Sequence, residues 1–155
     1  MVTISGSGFT QASTVAFGAN PATSVTYVSA TELRATSPAG SPSVVDVAVT
    51  TNGGTSAATT RDDFRYVGTP TVTTLSPNTG AVAGGETVTI NGTEFYDVSG
   101  VTFDGVAATG LNRISTTQLT VVTPAHAAGA INVVVTTSAG GNSARRPSPT
   151  SMLRP

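Results

Sequence analysis

Apolar and polar residues alternate with a period of two along most of the chain. Val2 and Ile4 alternate with Thr3 and Ser5, Val45, Val47 and Val49 with Asp46, Ala48 and Thr50, and Ile131, Val133 and Val135 with Asn132, Val134 and Thr136. A period of two puts successive side chains on opposite faces of a strand, so each run has one core face and one solvent face. The chain contains 29 Thr and 20 Val, β-branched residues that lose little χ1 freedom in a strand. No Gly- and Pro-free stretch of ten carries apolar residues at helical spacing. Turn chemistry interrupts the runs every 8–12 residues, the spacing of a sandwich. Asn52-Gly53-Gly54 and Asn78-Thr79-Gly80 supply tight turns, and Ser37-Pro38 and Thr123-Pro124 end strands because proline gives a ladder no N–H. The pattern predicts strands near 2–5, 14–18, 24–28, 32–36, 43–50, 55–59 and 63–67. A second set follows at 71–75, 87–91, 100–103, 111–115, 118–122 and 130–137, with a residual strand after 142.

The two sets are copies. Val2-Thr3-Ile4-Ser5-Gly6-Ser7-Gly8-Phe9 returns as Val88-Thr89-Ile90-Asn91-Gly92-Thr93-Glu94-Phe95, an offset of 86, and Val47-Ala48-Val49-Thr50-Thr51 returns as Val133-Val134-Val135-Thr136-Thr137. A gapless register from 2–58 to 88–144 contains 21 identities in 57 positions. A unit of this size with some seven short strands is a two-sheet sandwich, so the chain is read as all-β, two tandem sandwiches.

The second copy opens with Pro70-Thr71-Val72-Thr73-Thr74-Leu75-Ser76-Pro77-Asn78-Thr79-Gly80 and continues through Gly84-Gly85-Glu86-Thr87-Val88-Thr89-Ile90-Asn91-Gly92-Thr93-Glu94-Phe95. This resembles the start of an IPT/TIG domain, the immunoglobulin-like domain of plexins and transcription factors. Val101-Thr102-Phe103-Asp104-Gly105 and the closing Phe64-Arg65-Tyr66 resemble later blocks of that family. The resemblance implies two tandem immunoglobulin-like β-sandwiches of early-Ig-set-like type, at 1–67 (lacking its first strand) and 68–144, with 145–155 as an extended tail or linker. Phe17, Phe103 and Phe95 are expected in the cores, Phe95 folded back under a strand bent at Gly92. The edge left open in the first copy raises the expectation of strand-exchange self-association.

Composition narrows the chemistry. There is no Cys and no Trp, charged residues make up 10%, and the formal net charge is −1. Seven basic residues against eight acidic ones cannot build the basic stripe nucleic acid requires. All seven are Arg, so Schiff-base and P-loop chemistry are excluded. No apolar run has the roughly 18–20 residues of a membrane helix, and Met1 leads into Val-Thr-Ile-Ser without a signal-peptide pattern.

His126 is the single histidine, too little for a triad or a zinc site, and is expected in an exposed loop. Asp62-Asp63 with Glu94 or Asp97 could contribute to a calcium site, but no loop has ligand spacing. A solvated turn is the default for Glu32, Asp46, Asp62, Asp63, Glu86, Glu94, Asp97 and Asp104. No catalytic residue, cofactor or metal is therefore expected. Tyr27 and Tyr96 remain as candidate ligand contacts, stacking platforms at a sheet margin. The resemblance implies a non-catalytic structural or adhesive segment of an extracellular or cell-surface protein. Its partners would be proteins, polysaccharides or neighbouring immunoglobulin-like repeats. An accessory module of a secreted polysaccharide-degrading enzyme and a phage virion protein are the alternatives.

Overall fold

The computed structural model describes residues 1–143 and, as backbone, 147–153. The chain divides into two compact units, Met1–Tyr66 and Val67–Pro155, and among the described residues neither contains a helix.

Unit 1 is built from β1 (Val2–Ser5), β2 (Thr14–Phe17), β3 (Asn20–Pro21), β4 (Ser24–Ser29), β5 (Glu32–Thr36), β6 (Ser43–Thr51), β7 (Gly54–Thr55) and β8 (Asp63–Tyr66). One sheet runs β1-β5-β4; the other runs β3-β2-β6-β7, with β8 also paired to β6. The alternation seen in the sequence becomes burial. Leu33 and Ala35 of β5 face Val15 and Phe17 of β2 and Val47 and Val49 of β6 in one core cluster. Phe17 meets Phe64 edge to face at 5.0 Å, and Phe64 meets Tyr66 likewise at 5.0 Å, a geometry that sets a ring edge against a π face.

Unit 2 contains β9 (Thr71–Ser76), β10 (Thr79–Ala81), β11 (Thr87–Thr93), β12 (Val98–Phe103), β13 (Val106–Ala107), β14 (Thr109–Arg113), β15 (Gln118–Val122), β16 (Ala130–Thr137), β17 (Gly141–Asn142) and β18 (Pro147–Leu153). Its sheets run β14-β15-β11-β9 and β10-β18-β16-β12-β13, with β17 on β16. Val88, Ile90, Phe95, Val101, Phe103, Leu119, Val121, Ile131, Val133 and Val135 form the core. Gly92 lies at a register shift between β11 and β9. A Cβ there would come within 2.5 Å of the Phe95 ring, so the expected bend over a buried Phe95 is present.

Three expectations are corrected. The reading of 145–155 as a tail gives way to β18, which pairs antiparallel with β16 and parallel with β10. Residues 145–146 and 154–155 of that tail lie outside the described residues. Pro147 and Pro149 precede Ser151–Leu153, the stretch that pairs with β10, and the segment carries no period-two apolar signal that would have announced it. The strand expected at 55–59 is only Gly54–Thr55, and the exposed Ser56 that follows bonds back to β6, its hydroxyl accepting the Val49 N–H at 3.0 Å. The gapless repeat also breaks in this hairpin. Thr51 pairs with Gly54, whereas Thr137 pairs with Gly141. Ser143, which accepts the Val135 N–H at 2.9 Å, is therefore the structural counterpart of Ser56, and unit 2 has one more loop residue.

Candidate functional site

Tyr27 lies on β4, an edge strand paired only with β5 among the described residues. Pairing with Leu33 sets it on the core-facing side, but Tyr27 is 37% exposed. Val25 and Val28 on the same strand are 36% and 45% exposed, and a bulge between Tyr27 and Ser29 twists the edge. The apolar margin thus consists of one ring and two valines. Tyr96 is half-buried in the turn after Phe95, and its N–H donates to the Glu94 carbonyl at 2.8 Å. The two tyrosines belong to different units and to non-equivalent positions, Tyr27 aligning with Arg113 and Tyr96 with Thr10. Neither unit contains a platform made of both.

Two acidic residues expected in solvated turns have structural partners. Glu94 adopts φ 59° where the first copy has Gly8, and Asp104 adopts φ 48° where it has Gly18. A left-handed backbone is unfavourable for a residue with a side chain, and each carboxylate makes compensating hydrogen bonds. Glu94 Oε2 accepts the Gly68 N–H at 3.0 Å. Asp104 Oδ1 accepts the Asn132 backbone N–H at 2.8 Å and its side-chain amide at 3.1 Å.

Asp104 also brings in His126, which is half-buried rather than loop-exposed as expected: its Nε2 stands 3.7 Å from Asp104 Oδ2. The His126 Nδ1 lies 3.0 Å from the Ala127 carbonyl oxygen, a contact that makes Nδ1 the protonated nitrogen. One ring nitrogen is thus engaged and the other faces a carboxylate. A shallow depression of about 490 Å³ opens beside this pair, lined by Thr102, Asp104, Asn132, Thr136 and Asn142 among others. Among the described residues no three His, Asp or Glu side chains come together as metal ligands.

Asp62, the remaining carboxylate of interest, closes the turn before β8. Its Oδ1 accepts both the Thr59 hydroxyl and the Thr59 N–H at 2.8 Å. Chiefly through the hydroxyl bond, its pKa is lowered from the ordinary Asp value, with desolvation opposing. A folded-state pKa below the unfolded one contributes stability above the unfolded pKa that is lost as pH falls through the folded one. An NMR carboxyl titration is expected to place the Asp62 midpoint below that of an ordinary aspartate, and Thr59→Val is expected to raise it.

The IPT/TIG domain family profile matches residues 1–66 and 70–151. The chain belongs to the IPT/TIG family. No curated protein matches the chain. Among solved structures, the full extracellular region of plexin A4 aligns with 97% of this chain at 19% identity and a TM-score of 0.57. SGBP-B from a complex xyloglucan utilization locus in Bacteroides uniformis aligns with 94% at 21% identity and a TM-score of 0.49. The TIG domain of human nuclear factor of activated T-cells, cytoplasmic 4, aligns with 57% of this chain and 91% of its own length, at 24% identity and a TM-score of 0.47. The chain spans 16% of the plexin region and 43% of the SGBP-B. The plexin likeness supports the sandwich fold of the IPT/TIG units. No helix among the described residues is long and apolar enough to cross a membrane.

Proposed function

We propose that the two IPT/TIG units form a non-catalytic spacer and interaction segment of an extracellular or cell-surface protein. The observation that carries this reading is the apolar margin of β4, where Val25, Tyr27 and Val28 are exposed on a sheet edge. His126 and Asp104 are the pair nearest to acid–base chemistry, with Nδ1 bonded to the Ala127 carbonyl and Nε2 standing 3.7 Å from the Asp104 carboxylate. Polar side chains elsewhere bond across strands and turns, as Thr71 does to Thr93 and Asn91 to Thr74 and Gln118. A ring beside two aliphatic side chains suits the apolar face of a sugar or a protein hydrophobe. The glycan form of the reading, which makes the chain an accessory module of a polysaccharide-degrading protein, draws on Tyr27 alone.

Retention on insoluble polysaccharides, compared with binding to immobilised surface proteins, tests it. If glycan is the partner, Tyr27→Ala is expected to lower retention about tenfold, or ~1.4 kcal/mol, with Tyr96→Ala nearly neutral. Hydrolysis of any retained polysaccharide by the purified chain would overturn the non-catalytic reading.

A further inference from the structure

Among the asparagines, only Asn52 and Asn91 stand directly before a glycine. In that dipeptide the backbone nitrogen of the glycine can reach the asparagine amide carbon, because no following side chain obstructs the approach. The two sites meet opposite surroundings. Asn91 lies inside β11, with its Nδ2 donating to the Thr74 hydroxyl at 3.1 Å and its Oδ1 accepting from Gln118 Nε2 at 2.9 Å. The Gly92 N–H, the nitrogen that would attack, donates to the Thr117 carbonyl at 2.9 Å. Reaction there requires the ladders of β11 with β9 and β15 to open.

Asn52 and Gly53 form the connection between β6 and β7, where Thr51 pairs with Gly54. Both are exposed, and the Asn52 side chain has no hydrogen-bond partner among the described residues. The Gly53 N–H makes one exposed bond, to the Thr51 hydroxyl at 3.1 Å, and a single such bond open to water holds it weakly. Unit 2 makes the matching bond, from the Gly140 N–H to the Thr137 hydroxyl at 3.1 Å, but has Ala139 in the place of Asn52. Ala139 is exposed although Gly140 is packed against the Gly68 carbonyl. The outer position of this turn therefore faces solvent even where the glycine after it is covered.

We propose that Asn52 is a self-modification site, which converts without an enzyme to a mixture of isoaspartate and aspartate. The Gly53 nitrogen, losing its proton to hydroxide, bonds to Asn52 Cγ; the Cγ–Nδ2 bond breaks and ammonia leaves, closing a five-membered imide. Water then opens the ring. Breaking the bond from nitrogen to Cγ gives aspartate, and breaking the bond from nitrogen to the Asn52 carbonyl carbon gives isoaspartate, whose backbone runs through the former side chain. Either product places a carboxylate in residues 47–60, a stretch with no charged residue. The isoaspartyl form also adds a backbone atom to the turn, so the pairs Thr51–Gly54 and Thr50–Thr55 lose their register. The hairpin is closed by the Ser56 N–H donating to the Val49 carbonyl at 2.9 Å and the Ser56 hydroxyl accepting the Val49 N–H at 3.0 Å. Val49 belongs to the core of unit 1, so the change in the turn reaches a strand that matters for packing.

The test incubates the full chain at mildly alkaline pH, folded and unfolded in guanidinium chloride. Peptide mapping by mass spectrometry, with fragmentation that separates isoaspartate from aspartate, follows both asparagines. In the unfolded chain Asn52 and Asn91 are expected to convert at similar rates. In the folded chain Asn52 is expected to stay within a few-fold of its unfolded rate, while Asn91 slows at least about tenfold because its bonds must break first. Folding that protects Asn52 as strongly as Asn91, or products at Asn52 without isoaspartate, would overturn the proposal. Asn52→Asp supplies the charge without the inserted backbone atom. The Ser56 amide is expected to exchange faster in the isoaspartyl chain than in Asn52→Asp, and equal exchange in the two would overturn the effect assigned to the hairpin.

Discussion

Replacing Phe103 by alanine is expected to remove about 3–5 kcal/mol from the stability of unit 2. Phe103 ends β12, pairs with Val133 across the ladder, and is fully buried in the cluster that joins both sheets. Truncation removes the transfer free energy of the ring and leaves a cavity that close-packed neighbours refill only in part. Because a domain of this size is stable by only about 5–15 kcal/mol, the loss takes a large fraction of the total. Urea unfolding followed through unit 2 amides measures it, as a lower midpoint at unchanged slope. Val106→Ala on the adjoining β13, whose side chain is exposed, serves as the control and is expected to stay within about 0.5 kcal/mol. Comparable losses at both positions would mean that Phe103 is not a core residue.

The core was legible because it obeys the simplest rule in the chain. Val47, Val49, Val133 and Val135 stand at every second position of their strands, and burial follows the same alternation. Other features carried a weaker signal or none. The β18 strand has no apolar alternation and is held by backbone pairing, so its sequence reads like a tail. The longer loop before Gly141 was hidden because Gly54 aligns with Gly140 by identity, while the hydrogen bonds match Gly53 with Gly140. Glu94 and Asp104 resemble solvated acidic residues, yet each stands where the first copy has glycine. A non-glycine residue at a position glycine occupies in a sister copy hints at a side chain that compensates a left-handed backbone. The exposure of Tyr27 follows from its place on an edge strand and could be anticipated. The half-burial of Tyr96 depends on how the turn after Phe95 packs, which local sequence does not encode.

Gly92→Ala is expected to destabilise unit 2 by at least the upper part of the range of about 1–3 kcal/mol seen for overpacked sites. The new methyl group would meet two obstacles, the Phe95 ring at 2.5 Å and the Thr71 carbonyl oxygen. A ring can tilt, but a carbonyl in a ladder moves only if β9 shifts away from β11. Faster exchange of the Thr71–Ser76 amides would report that shift, together with a lower urea midpoint. Gly6→Ala is the informative partner experiment, because its methyl group meets only the Phe9 ring. It is expected to cost unit 1 less than Gly92→Ala costs unit 2. Equal destabilisation by both substitutions would show that the Phe rings, rather than the neighbouring strand, require glycine at these two places.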